Sequence, residues 1–378
     1  MFGKANLTEW GGAGTQLGWS SRGGQTGNPY GADRSPLGSS AGSASAVAAN
    51  LAAASLGGET SGSIAGPASV MGVVGLKTTA GLVSRRGTVP VVLSIDSIGP
   101  IARTVRDAAV VLNAIAAPDP SDPQSDAGIR SQLPDYAAQL RPNGLRGVHL
   151  GVVREASLGA EATPLFDKAL DDLRALGAVL VDAELPAEFS GKTFEDTFET
   201  WFFGELNDSL ATYFASRRPN PTIHSVDDIL AANRRLANPD RPLERMGQQL
   251  LQMAAAARRR PDSARRNATA TIMELSNTKG LEPMLAKYAV EGFVSSVGPT
   301  SALNGPPPEL PNIIWLASLS GGAPLISVPM GQVNRLPIGL VFISKRWSDA
   351  SLLQWAYAYE RCTHHRAAPP ELPPAPSK

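Results

Sequence analysis

The clearest pattern along the chain is a change of apolar period between residues 147 and 185. GVHLGVV (147–153) is a short apolar run opened by glycine, which predicts a buried strand. TPLFDKALDDLRALGA (163–178) then places Phe166, Leu170, Leu173 and Leu176 at helical spacing, and VLVDAEL (179–185) returns to a strand pattern. Strand, helix and strand in this order predict parallel pairing and an α/β protein. Further apolar runs at 292–297 (GFVSSV), 324–330 (PLISVPM) and 337–344 (PIGLVFIS) predict three more strands, and 349–365 predicts a final helix before a Pro-rich tail. Toward the other end, SASAVAANLAAASLG (43–57) predicts an Ala-rich helix opened by serine and closed by Gly57-Gly58. VMGVVGLK (70–77) reads as a buried strand or turn, TVRDAAVVLNAIAA (104–117) as a helix, and PDPSDPQSD (118–126) as a surface loop. Residues 190–290 are largely helical by pattern and more charged. The sequence has no internal repeats. These elements predict one α/β domain over residues 1–378, in which 1–117 and 291–378 pair around a variable helical stretch, 118–290.

Composition narrows the function classes. The chain has 378 residues, 43% of them apolar, with 34 Lys+Arg against 34 Asp+Glu. A net charge of zero gives no global field for nucleic acid. The basic run at 254–266 (AAAARRRPDSARR) lacks the interleaved aromatics of a single-strand binder, so it reads as a solvated helix face. The one cysteine, Cys362, cannot form an internal disulfide, and no Cys/His cluster has metal spacing. No apolar run reaches the ~18 residues of a membrane span, and the first residues carry no signal-peptide pattern. The expectations are a cytoplasmic protein with no cofactor, no metal, no membrane and no nucleic acid.

Candidate chemistry concentrates in two glycine- and serine-rich runs, LGSSAGS (37–43) and GGETSGSIAG (57–66). GSSAG matches G-x-S-x-G at Ser40, but that motif requires a strand before the serine, and NPYGADRSP is none. The four histidines, His149, His224, His364 and His365, read as structural or solvated, so a Ser-His-Asp triad is unsupported. Serine chemistry without histidine needs another base, such as a lysine made neutral by burial, a second serine to pass the proton, and backbone N–H groups to hold the oxyanion. TSGS (60–63) suits the last requirement, because glycine permits the backbone conformations and close approach that it demands.

At this point the segment from Asp33 to Pro90 resembles the signature of the amidase signature family. Flanking segments at 3–10, 18–36, 96–116 and 321–360 are similar to the family as well. The resemblance implies an α/β fold with a central mixed β-sheet surrounded by helices, and hydrolysis or transfer of carboxamides by a Ser–cis-Ser–Lys triad. It puts Ser63 in the nucleophile place, Ser39 in the cis-serine place, and the amides of Thr60, Ser61, Gly62 and Ser63 in the oxyanion hole. The 24-residue separation of the two serines is the family's spacing. SSRGGQTGNPY and GETSGSI look more like peptide amidases and related carboxamide hydrolases than like the tRNA-dependent amidotransferase subunit. Ser61, Ala41, Ala65 and Gly66 depart from the usual motif without removing a hydroxyl. The family's lysine lies in a strand upstream of GKANLTEW, so the resemblance implies an N-terminally truncated chain lacking that base, with an exposed apolar sheet edge. Lys4 and Lys77 read as structural. A carboxamide hydrolase, a non-catalytic relative and an amidotransferase subunit remain as readings. A small-molecule or peptide amide is the expected partner, with a homodimer as the possible assembly.

Overall fold

In a computed structural model, the described residues are 3–12, 16–126, 133–217, 222–239, 248–305 and 311–370. The strands in chain order are β1 (Trp19–Ser20), β2 (Gly24–Gln25), β3 (Ala54–Glu59), β4 (Val74–Lys77), β5 (Ser97–Ala102), β6 (His149–Val153), β7 (Val179–Ala183), β8 (Gly292–Val297), β9 (Leu325–Val333) and β10 (Leu336–Ile343). The helices are α1 (Ala41–Ala48), α2 (Ala65–Val70), α3 (Val105–Ile115), α4 (Pro123–Asp126), α5 (Thr163–Ala175), α6 (Lys192–Ser216), α7 (Val226–Leu236), α8 (Gln248–Arg258), α9 (Asp262–Lys279), α10 (Leu281–Tyr288), α11 (Asn312–Leu319) and α12 (Asp349–Thr363).

Eight strands form one mixed sheet in the order β3-β5-β4-β9-β10-β8-β6-β7. The strands of the first and last thirds meet where β4 pairs antiparallel with β9, Gly75 opposite Ser327. The β6–α5–β7 passage is parallel, with His149 opposite Val179, as its pattern predicts. Successive strand residues face opposite layers. Along β10, Leu340 and Phe342 enter a core with Phe166, Leu170 and Leu173 of α5 and Leu352 and Trp355 of α12. Val341 and Ile343 enter a second core on the other face, with Val47 of α1, Ala68 of α2 and Ile313 of α11. A third cluster joins α6–α9 to Val92 and Ile95 of the segment before β5.

Two sequence expectations are corrected. The Ala-rich stretch 43–57 is not one helix: α1 ends at Ala48, Asn50 turns the chain in a left-handed conformation (φ 60°), and β3 starts at Ala54. Alanine favours helix locally, but the Arg103 guanidinium takes the carbonyls of Val47 (3.3 Å) and Ala52 (2.7 Å), and the chain from Ala54 pairs with β5. The stretch 118–126 is no simple surface loop. Asp122 is buried and takes the Arg85 backbone N–H (3.0 Å) and Nε (2.9 Å), with Nη2 on its other oxygen.

β3 is an edge strand, and its outward ladder groups are taken by side chains. Ser40 Oγ accepts from Gly58 N–H (3.2 Å) and donates to Gly58 C=O (3.1 Å), and Ser43 Oγ donates to Leu56 C=O (2.8 Å). Hydroxyls of the α1 region thereby blunt an edge that would otherwise template pairing. Apolar exposure along this stretch is confined to Leu51 and Leu56.

Glu360 of α12 caps α3, both carboxylate oxygens accepting from Val105 N–H at 3.0 and 3.1 Å. Burial pushes its carboxyl up to about 7, helped by Asp107 and opposed by the Val105 hydrogen bond and Arg361. Because the folded value lies above the unfolded one, the native state holds the extra proton, and this group's contribution to stability falls as pH rises from about 4.5 to 7. In urea unfolding, Glu360→Gln should therefore gain on the wild type between pH 5 and pH 8. An identical pH dependence for the two proteins would contradict this account.

Candidate functional site

The turn between β3 and α2 carries the glycine- and serine-rich run. Gly62 has φ +78°, a left-handed conformation that disfavours a side chain. At Gly57 a Cβ would lie 2.8 Å from Ser40 Oγ and 2.9 Å from Ile64 Cγ1, so glycine lets β3 lie close to both the α1 start and the turn. The turn is fixed by Glu59, a buried residue whose Oε2 accepts from the N–H groups of Ile64 (2.6 Å) and Ala65 (2.9 Å). An acid at this place satisfies helix-start donors and complements their positive end. The backbone then winds on through Gly66 N–H to Gly62 C=O (2.8 Å) and Ala68 N–H to Ile64 C=O (3.0 Å). Among the described residues, the N–H groups of Thr60, Ser61, Gly62 and Ser63 have no acceptor, whereas the next two are taken by Glu59.

The other serine run meets this turn directly. The Gly38–Ser39 peptide bond is cis. The Ser39 carbonyl accepts from Thr8 N–H (3.0 Å), and Ser40 N–H donates to the Ser63 carbonyl (3.0 Å). The structure therefore brings Ser39 and Ser63 into neighbouring, hydrogen-bonded segments. Ser40, the G-x-S-x-G serine, has its hydroxyl engaged by Gly58 on both sides and serves as a tie. Among the described residues the hydroxyls of Ser39 and Ser63 have no such engagement. Ser61 is buried and its hydroxyl has no partner.

Three supporting acids and a lysine surround the turn, of which the sequence reading singled out only the lysine. Thr60 Oγ1 donates to Asp96 Oδ1 (2.6 Å), and Asp96 also accepts from the N–H groups of Val91 (2.8 Å) and Val92 (3.1 Å). Burial raises the Asp96 carboxyl, and these hydrogen bonds pull it back. Lys77, at the end of β4, is fully buried and donates to the Ala323 carbonyl (3.1 Å). Burial lowers its amine to about 8 against the opposing fields of Glu59, Asp349 and Asp96. Asp349, at the start of α12, takes Thr79 N–H (2.9 Å) and Oγ1 (2.6 Å). Glu59 had one signal in the sequence, an acid ahead of a helix start. Asp96 and Asp349 had none, since their partners lie 36 and 270 residues away.

No group of His, Cys, Asp and Glu among the described residues could hold a metal. No described helix is long and apolar enough to cross a membrane.

Comparison with known proteins agrees with this geometry. A family model described as Amidase matches residues 1–353. The crystal structure of native peptide amidase from Stenotrophomonas maltophilia superimposes with a TM-score of 0.88 at 39% identity, covering 97% of this chain and 74% of that one. A probable amidase of Arabidopsis thaliana is 34% identical over 98% of this chain and 69% of its own length. A glutamyl-tRNA(Gln) amidotransferase subunit from Thermosynechococcus vestitus is also 34% identical, over 98% of this chain and 77% of its own.

The Glu59 brace yields a stability test. Glu59→Ala leaves two buried N–H groups without acceptors and should lower the unfolding free energy by about 2–3 kcal/mol in urea titration. Glu59→Gln, which keeps one acceptor oxygen, should lose less. An alanine variant as stable as the wild type would show that Glu59 does not hold the turn.

Proposed function

Since the chain belongs to the amidase family and is a hydrolase acting on amides, we propose that it cleaves the C–N bond of a small-molecule or peptide carboxamide through an acyl-enzyme on Ser63. The observation that carries this reading is the row of unpaired N–H groups at Thr60–Ser63, beside a serine whose hydroxyl is not otherwise engaged. In the proposed cycle, Ser63 Oγ attacks the carboxamide carbon while its proton passes through the Ser39 hydroxyl to a base. The oxyanion of the tetrahedral intermediate accepts hydrogen bonds from the turn's backbone amides, which are already oriented before charge develops. Collapse expels the amide nitrogen, which takes up a proton and leaves as ammonia or an amine. Water then attacks the ester, releasing the carboxylate and restoring Ser63.

The supporting groups have separate parts in this reading. Glu59 occupies the donors of Ile64 and Ala65, so its own charge is satisfied while the N–H groups before them stay available. Asp96 holds Thr60 by its side chain and leaves the Thr60 N–H free. The base must be a neutral amine. Lys77 is committed to the Ala323 carbonyl and acts here as buried countercharge. The resemblance gives the base's part to a lysine upstream of Gly3. Hydrolysis is favoured over transfer by the 39% identity to a peptide amidase against 34% to an amidotransferase subunit.

The test is ammonia release from a peptide C-terminal amide. Ser63→Ala should lower kcat by about 10³-fold or more, and Ser39→Ala by about 10²-fold or more, each with KM little changed, as for groups acting only in the transition state. Undiminished turnover by the Ser63 variant, or none by the wild type, would overturn the proposal.

A further inference from the structure

The candidate site is closed by a ring of contacts. Ser63 is bonded to Ser40, and Ser39 to Thr8. Three residues on, a Cβ on Gly11 would lie 3.2 Å from Val91 Cγ2, so the backbone after Trp10 runs against Val91. Val91 N–H is held by Asp96, and Asp96 holds Thr60, which leads back to Ser63. The ring therefore has two residues with large apolar side chains, Trp10 and Val91, and both pack into the same cluster as Phe198 of α6 and Trp315 of α11. Phe198 and Trp315 meet edge to face at 5.1 Å, and Phe198 stacks on Phe202 at 5.5 Å. Phe202 is buried, whereas Trp10, Val91, Phe198 and Trp315 are each only partly buried, leaving apolar surface uncovered where the cluster meets the ring. The cluster is also fastened to the ring by Ser209 of α6, whose hydroxyl accepts from Leu93 N–H (3.1 Å), and by the fully buried Val92.

We infer that Trp10, Val91, Phe198 and Trp315 form the wall that receives the acyl side of the substrate, and that the preferred substrates are primary carboxamides carrying an aromatic or branched apolar group next to the scissile bond. This rests on the acyl-enzyme reading above. In a primary carboxamide the leaving group is ammonia, so recognition has to come from the acyl side. An aromatic wall favours ring-on-ring contact there. It disfavours a charged group, which would lose hydration without gaining a partner.

The experiment compares kcat/KM for acetyl-phenylalaninamide, acetyl-glycinamide and acetyl-aspartic α-amide, in wild type and in Phe198→Ala and Phe198→Leu. The wild type should prefer the phenylalanine compound over the glycine compound by about 10–100-fold, with the aspartic compound slowest. Phe198→Ala should collapse that preference to within about threefold, and Phe198→Leu should restore part of it. Wild type that takes the aspartic amide as fast as the phenylalanine amide overturns the inference without needing a variant. So does a Phe198→Ala enzyme whose rates fall equally on all three. Failure to hydrolyse any of the three would instead count against the acyl-enzyme reading itself.

Discussion

The pair of hydrogen bonds from Ile64 and Ala65 N–H to the Glu59 carboxylate is the constraint on which the rest of the site depends. It ties the last residue of an edge strand to the first turn of a buried helix, across a turn that contains a left-handed glycine. Without it the turn could relax, and Ser63 and its neighbouring N–H groups would lose their common orientation. A buried carboxylate needs compensation beyond two hydrogen bonds. Lys77 contributes that from the neighbouring layer, and being fully buried itself, it depends on Glu59, Asp349 and Asp96 in return. The charges thus support one another, and the turn inherits its rigidity from the sheet.

The same charges connect distant parts of the chain. Lys77 lies at the β4–β9 junction, where the first and last thirds of the sequence join, and Ala323, its acceptor, precedes β9. Asp349 links the end of β4 to the start of α12 through Thr79. Asp96 links the turn to residues 91–95, whose side chains are embedded among α6–α9. The helical stretch is therefore fastened to the oxyanion side of the turn, and apolar contacts made there are felt at the groups that would stabilise the transition state. Arg85 strengthens this segment from behind, reaching the Leu93 carbonyl while paired with Asp122.

The sequence was informative where the physics is local. The β6–α5–β7 unit and the strands at 292–297, 324–330 and 337–344 could be seen in apolar period alone, because each buries a continuous face. The boundary between α1 and β3 could not, because alanine, serine and leucine suit both states and the decision is made by Arg103 and by pairing with β5. The two serine runs were visible as composition and spacing. Their meeting was not, since it rests on backbone bonds from Ser40 to Ser63 and from Thr8 to Ser39 that leave no mark on residue type. Asp96, Asp122 and Asp349 look like any surface acid in the sequence, and only the fold reveals that each satisfies buried donors.

The central claim is that Ser63, alone among the clustered serines, is the nucleophile. It is tested most directly by treating the chain with a fluorophosphonate and locating the adduct by mass spectrometry of the peptide spanning residues 35–77. The account predicts a single phosphonyl group, on Ser63, with Ser39, Ser40, Ser43, Ser61 and Ser69 unmodified. A stable adduct on Ser40 or Ser61 in place of Ser63, or no adduct at all on a folded protein, would contradict it.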